Sequence, residues 1–128
     1  MVSELSSQFA KVYSFLDLAY IKRFSVEGYE ADDVIGYASE LVTAQGGNSI
    51  IYSTDKDFLQ LVDEHVRVYN PIKKKTFDID TIVETYGVHP SNFVFYRALL
   101  GDKSDNIDGI HGAGDKTIRK LLPELIQP

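Results

Sequence analysis

The chain is 128 residues long, 44% hydrophobic and 25% charged, with 13 Lys and Arg against 19 Asp and Glu and a net charge of −6. That length suits one domain with a modest core. No apolar run approaches the roughly 20 residues of a membrane span, the opening MVSELSSQFAKVY is not a signal peptide, and the absence of cysteine excludes disulfides and thiolate zinc sites. A reducing cytoplasm, with no membrane partner, is the expected setting.

Leu5, Phe9, Val12, Phe15 or Leu16 and Ala19 recur at three- and four-residue steps, which predicts a helix over 4–19. Tyr20 to Val26 alternates loosely and reads as a short strand. A second helix is predicted from about Ala31 to Gln45, with Val34, Ala38, Leu41 and Val42 as its apolar stripe and Gly46-Gly47 as its stop. SIIYS, 49–53, is a short β-branched run that predicts a buried strand. TDKDFLQLV then turns into a short helix, VRVYN (66–70) reads as another strand, and PIKKKTF (71–77) turns it back as a hairpin. The lysines of that turn read as solvated, with a DNA contact as the alternative. DIDTIVETYG is a helix with an Asp at its start and Gly87 after its end, and Pro90 opens PSNFVFYRALL, stopped by Gly101. Helix–strand alternation of this kind predicts an α/β fold with a mostly parallel sheet, in which working residues collect at the carboxyl ends of strands.

Acidic residues sit where such a fold would use them. Glu30, Asp32 and Asp33 follow the first predicted strand, Asp55 and Asp57 follow the second, and Asp102 and Asp105 follow the FVFYRALL helix. One acid in a first helical turn is an ordinary cap or dipole partner, and a lone DxD is an ordinary turn. Three acids within four positions repel one another unless a cation sits among them. Oxygen-only sites select hard cations such as Mg²⁺ or Mn²⁺, and a pair of ions is the arrangement that activates a water and steadies the leaving oxygen at phosphorus. Setting the seven acids aside leaves 12 against 13 Lys and Arg, so the rest of the surface is about neutral and the low pI is no bar to nucleic acid. His65, His89 and His111 lack ligand spacing, and neither a nucleophile elbow nor a Walker loop occurs.

The tail, GIHGAGDKT at 109–117, places three glycines in six residues ahead of a helix. Gly109, Gly112 and Gly114 would let the backbone approach a phosphate, with Lys116, Thr117, Arg119 and Lys120 following. The bland alternative is a Gly-rich turn between two helices. After GDKSDN, the expected shape is a helix–hairpin–helix gripping duplex DNA by its backbone.

GYEADDVIG, STDKDFLQLV and LLGDKSDNIDGIHGAGDKT, in this order and spacing, resemble the 5′-nuclease superfamily, which includes the 5′-nuclease domain of bacterial DNA polymerase I and the phage flap endonucleases. The resemblance covers roughly residues 26–122. It implies a PIN-like (Rossmann-like) sheet with helices on both sides over 1–101, followed by a helix–hairpin–helix segment over 102–128. It further implies Mg²⁺-dependent cleavage of DNA at 5′ flaps and 5′ ends by two metal ions held or surrounded by the seven acids. Glu30, Asp32 and Asp55 or Asp57 would lie nearest the ions, Asp102 and Asp105 would form the second-metal cluster, and K⁺ can bind at the hairpin. A bacterial or phage-infected cell is the implied setting.

The sequence departs from the family at both ends. The early strand with its aspartate and the basic helical arch are not found, and the helices expected after the hairpin are not found. The expectation is therefore a chain that needs an N-terminal nuclease segment, or self-association, to complete its sheet. A metal-dependent binder that holds duplex without cutting is the alternative function. A PIN-type ribonuclease is a weaker third, disfavoured by GDKSDN and the Gly-rich hairpin.

Overall fold

The computed structural model describes residues 2–128 and divides the chain into two compact units, Met1–Val34 and Ile35–Pro128. In the first unit, helix α1 spans Val2–Leu18. The segment expected as a strand, Tyr20 to Val26, is not one. Tyr20 turns the chain with a φ of 57°, Ile21 donates back to the Leu16 carbonyl, and the Arg23 guanidinium grips both carboxylate oxygens of Asp17 at 2.9 Å. A strand needs a neighbour to satisfy its amides; here the local ion pair wins and the segment folds back towards the helix end.

Helix α2, Ala31–Ala44, begins at the end of the first unit and continues into the second. It stops as predicted, with Gly46 at a φ of 76° and Gly47 donating to the Val42 carbonyl. Its predicted stripe is less covered than expected: Leu41 and Val42 remain exposed, and the buried residue is Ser39, whose hydroxyl donates to the Gly36 carbonyl at 2.7 Å.

The second unit carries a three-stranded sheet in the order β1 (Ser49–Tyr52), β2 (Val66–Asn70), β3 (Lys75–Phe77). β1 and β2 are parallel, in register Ser49 to Val66, while β2 and β3 form the predicted antiparallel hairpin, with Val68 opposite Phe77. The sheet is thus half parallel rather than mostly parallel. β2 is its central strand and buries Val66, Val68 and Asn70 on one face. β1, read from sequence as a buried strand, lies at the sheet edge with Ile51 buried and Ile50 and Tyr52 exposed.

A short 3-10 helix, Asp57–Leu61, follows β1 and buries Phe58 and Leu59. Helix α3, Ile79–Tyr86, has the predicted ends: Asp78 accepts the Thr81 amide at 2.9 Å as N-cap, and Gly87 closes it at a φ of 66°. A 3-10 turn at Pro90–Asn92 leads into helix α4, Phe93–Leu100, which turns Phe93 and Tyr96 into the core. Phe93, Ile82, Val68 and Val88 are its most completely buried apolar side chains, each worth about 1.5–3 kcal/mol. After α4 comes a two-stranded ribbon of β4 (Gly101–Asp102) and β5 (Ile107–Asp108), then helix α5, Asp115–Leu121. Ile118 and Leu125 anchor this last segment, and His89 donates its amide to the Leu125 carbonyl at 2.7 Å.

Candidate metal centre

The site in the second unit is built around α4. Its last turn presents Arg97, which a sequence search for acids passes over. The guanidinium Nη2 donates to Asp57 Oδ1 at 3.0 Å and also to Asp102 Oδ2. Asp57 opens the 3-10 helix after β1, and Asp102 sits on β4 immediately after α4. The fold thereby gathers two predicted site residues from separate elements around one positive charge. Asp102 Oδ1 is also held by the Ser104 hydroxyl and by the Ser104 amide at 2.8 Å. Those Ser104 donors hold the Asp102 carboxyl below the usual carboxylate range against the opposing effect of burial, and Arg97 adds a smaller pull in the same direction as Ser104. The signal in the sequence was the D-x-S turn inside GDKSDN.

Asp57, Asp102 and Asp105 line one cavity of about 200 Å³, together with Arg97 and Gln60 and the apolar side chains of Phe93 and Ile107. Asp55 lines a different hollow of about 100 Å³, with Ser53, Lys73 and Tyr86. Its Oδ1 accepts the Asp57 amide at 2.9 Å, so it shapes the turn that presents Asp57. Glu30, Asp32 and Asp33 lie in the first unit, exposed, at the start of α2. There Asp33 Oδ2 accepts the Glu30 amide at 3.3 Å, the reach-back bond of a helix cap.

Among the described residues, no three His, Cys, Asp or Glu side chains converge in a group that could hold a metal ion. The donor chemistry still fits a hard cation. Mg²⁺ is held by one or two carboxylates and keeps several waters, and Asp57 and Asp102 already share a cation in the form of Arg97.

The glycine-rich segment divides by role. A Cβ on Gly109 would fall 2.2 Å from the Leu100 carbonyl oxygen, and one on Gly101 would fall 2.3 Å from the Gly109 nitrogen. Gly109 is therefore required where two backbones cross. Gly112, at a φ of 77°, and Gly114 have open space on that side. Lys116, Thr117 and Lys120 are exposed. Arg119 instead donates through Nε to Asp115 at 2.7 Å and through Nη2 to the Thr85 carbonyl at 3.3 Å. The Tyr96 hydroxyl donates to the same Asp115 oxygen at 2.5 Å. Burial, and then that bond, push the Tyr96 phenol up to about 12. Burial works to raise the Asp115 carboxyl, but the donors from Tyr96 and Arg119 outweigh it and hold it low.

A family model described as 5′-3′ exonuclease, N-terminal resolvase-like domain, matches residues 1–87. The chain belongs to this 5′-3′ exonuclease family. It is 43% identical over 118 residues to a 5′-3′ exonuclease of Aquifex aeolicus, covering 92% of this chain and 41% of that protein. It is 41% identical over 127 residues to DNA polymerase I of a Streptococcus pneumoniae strain, covering 94% of this chain and 14% of the polymerase. The chain thus spans well under half the length of these relatives. The fold is similar to that of a bacteriophage T5 5′-exonuclease solved with bound zinc, with a TM-score of 0.76 and 25% identity, over 98% of this chain and 48% of that one. As in that comparison, the architecture is mixed α/β, with a small sheet and helices. No helix among the described residues is long and apolar enough to cross a membrane.

Proposed function

We propose that the chain is part of a Mg²⁺- or Mn²⁺-dependent 5′ nuclease that hydrolyses DNA phosphodiesters at 5′ ends and flaps in the cytoplasm of a bacterium or an infected cell. The observation that carries this is the Asp57–Arg97–Asp102 cluster, with Asp105 on the same cavity, in a chain of the 5′-3′ exonuclease family. The divalent ions bound to the T5 enzyme support metal dependence.

Asp57, Asp102 and Asp105 are the ligands on the cavity and Asp55 orients Asp57; Glu30, Asp32 and Asp33, at the start of α2, are the further metal-binding acids of the seven. Bound divalent ions would supply Lewis acidity and an activated water. The chain's own work is to hold the carboxylates, Asp102 through Ser104 and both Asp57 and Asp102 through Arg97. Lys116, Thr117 and Lys120, with the backbone at Gly112 and Gly114, form the duplex contact of a helix–hairpin–helix over 102–128, where K⁺ also binds. Gly109 and Arg119 support that contact from inside. The open edge of β1, with Ile50 and Tyr52 exposed, supports completion of the sheet by another nuclease segment or a second copy.

A metal-dependent duplex binder that does not cut is the second reading. The exposed Lys116, Thr117 and Lys120, following the open Gly112 and Gly114, favour it, since they would hold a duplex whether or not it is cut. Cleavage of a labelled 5′-flap duplex separates the two. The nuclease reading expects product with Mg²⁺, none with Ca²⁺, and loss of product in Asp102→Ala. Duplex binding without product in Mg²⁺ and Mn²⁺ would select the binder.

A further inference from the structure

Arg97 is placed for more than bridging. One nitrogen, Nη2, serves both Asp57 and Asp102, which come from separate elements on the wall of one cavity. Among the described residues, no other nitrogen of that guanidinium has a partner, so most of its five-donor fork is free. The side chain is a quarter exposed and borders the cavity, so the ion pairs are partly solvated and weak enough to exchange. Three carboxylates against one guanidinium also leave the cavity with two negative charges in excess, the deficit that one divalent cation fills.

We propose that Arg97 is an exchangeable counter-ion and a phosphate-binding residue. Without a divalent cation it holds Asp57 and Asp102 together. A divalent cation takes both carboxylates from it, and the released planar fork pairs with a phosphodiester oxygen in the same cavity. The inference rests on the metal reading given above and adds a residue and an order of events to it. Metal and Arg97 compete for the same oxygens, and phosphate and Arg97 meet only once metal is bound.

Calorimetric titration of Mg²⁺ into the full chain tests the first half, using the wild type, Arg97→Gln, Arg97→Lys and the double variant Asp57→Asn/Asp102→Asn. Arg97→Gln is expected to bind Mg²⁺ roughly three- to tenfold more tightly than the wild type, with Arg97→Lys between them. Weaker or unchanged Mg²⁺ binding in Arg97→Gln, with the double variant impaired, overturns the exchange. A double variant that takes up Mg²⁺ like the wild type sinks the metal reading itself, and the proposal with it.

Duplex binding in Ca²⁺ tests the second half. Arg97→Gln should lose several-fold in affinity and flatten the salt dependence by about one phosphate contact. With EDTA in place of Ca²⁺, it should match the wild type. Arg97→Lys keeps the charge and should keep the slope. A wild-type slope for Arg97→Gln in Ca²⁺ overturns the phosphate role.

Discussion

Two arginines in the second unit pair with aspartates in opposite ways. Arg97 reaches out of the last turn of α4 to two carboxylates on other elements, beside a cavity, with most of its donors free. Arg119 pairs with Asp115 one turn back on its own helix, and that carboxylate also takes the hydroxyl of buried Tyr96, while a second Arg119 nitrogen caps the Thr85 carbonyl. The first arrangement leaves room for a ligand to replace the arginine. The second ties α3, α4 and α5 together and lies off that cavity. The same pair of residue types thus serves exchange in one place and fixation in another. What separates them is where the partners lie: Arg97 bridges two acids on a cavity wall, while Arg119 is held between an acid of its own helix and the Thr85 carbonyl.

Phe93 serves both regions, lining the cavity and packing its ring against Tyr86 and Tyr96. Phe93→Ala should cost about 3–5 kcal/mol in denaturant unfolding and disturb both sites together. Tyr96→Phe should cost about 1–3 kcal/mol, because a partly buried carboxylate loses a donor. Arg97→Gln should cost at most about 1 kcal/mol; a larger loss would make Arg97 as structural as Arg119.

Asp115→Asn gives a test by sign. If Arg119 met phosphate directly, removing its acidic partner would strengthen duplex binding. The observed pairing predicts weaker binding, because the glycine-rich segment loses its support.

The pH dependence should differ at the two ends of the scale. The Tyr96 phenol is raised in the folded chain, so its contribution is complete below the ordinary tyrosine value of about 10 and is lost as pH climbs towards about 12. Asp78 is lowered, chiefly by its bonds with Thr81. Its contribution holds above the ordinary aspartate value of about 4 and is lost as pH falls through the lower folded value. Asp78→Ala should remove the acid-side effect and cost about 1 kcal/mol. Urea melts across pH would read both.

Local chemistry made much of this legible. The cap at Asp78, the stop at Gly87, the hairpin after VRVYN and the acids after β1 and α4 each follow from a residue and its immediate neighbours. What depended on a distant partner was not legible. Tyr20 to Val26 alternates like a strand, but the Asp17–Arg23 pair and a turn at Tyr20 decide its path. Gly109 reads from sequence as a phosphate-loop glycine, yet the backbones of Leu100 and Gly101 lie against it. Arg97 carried no motif, and its role emerges only where β4 and the 3-10 helix converge on α4. Arg119 looked free to meet DNA because its partners, Thr85 and Tyr96-bound Asp115, belong to other elements or are themselves engaged.

The proposed function requires a divalent ion to bind in the cavity at Asp57, Asp102 and Asp105. Paramagnetic broadening of backbone amide signals by Mn²⁺ tests it most directly. The account predicts that trace Mn²⁺ first erases the amides around Asp57 and at 102–105, leaves Asp115 to Arg119 sharp, and loses this effect in Asp57→Asn/Asp102→Asn. Broadening centred on 115–119, or unchanged broadening in the double variant, would contradict it.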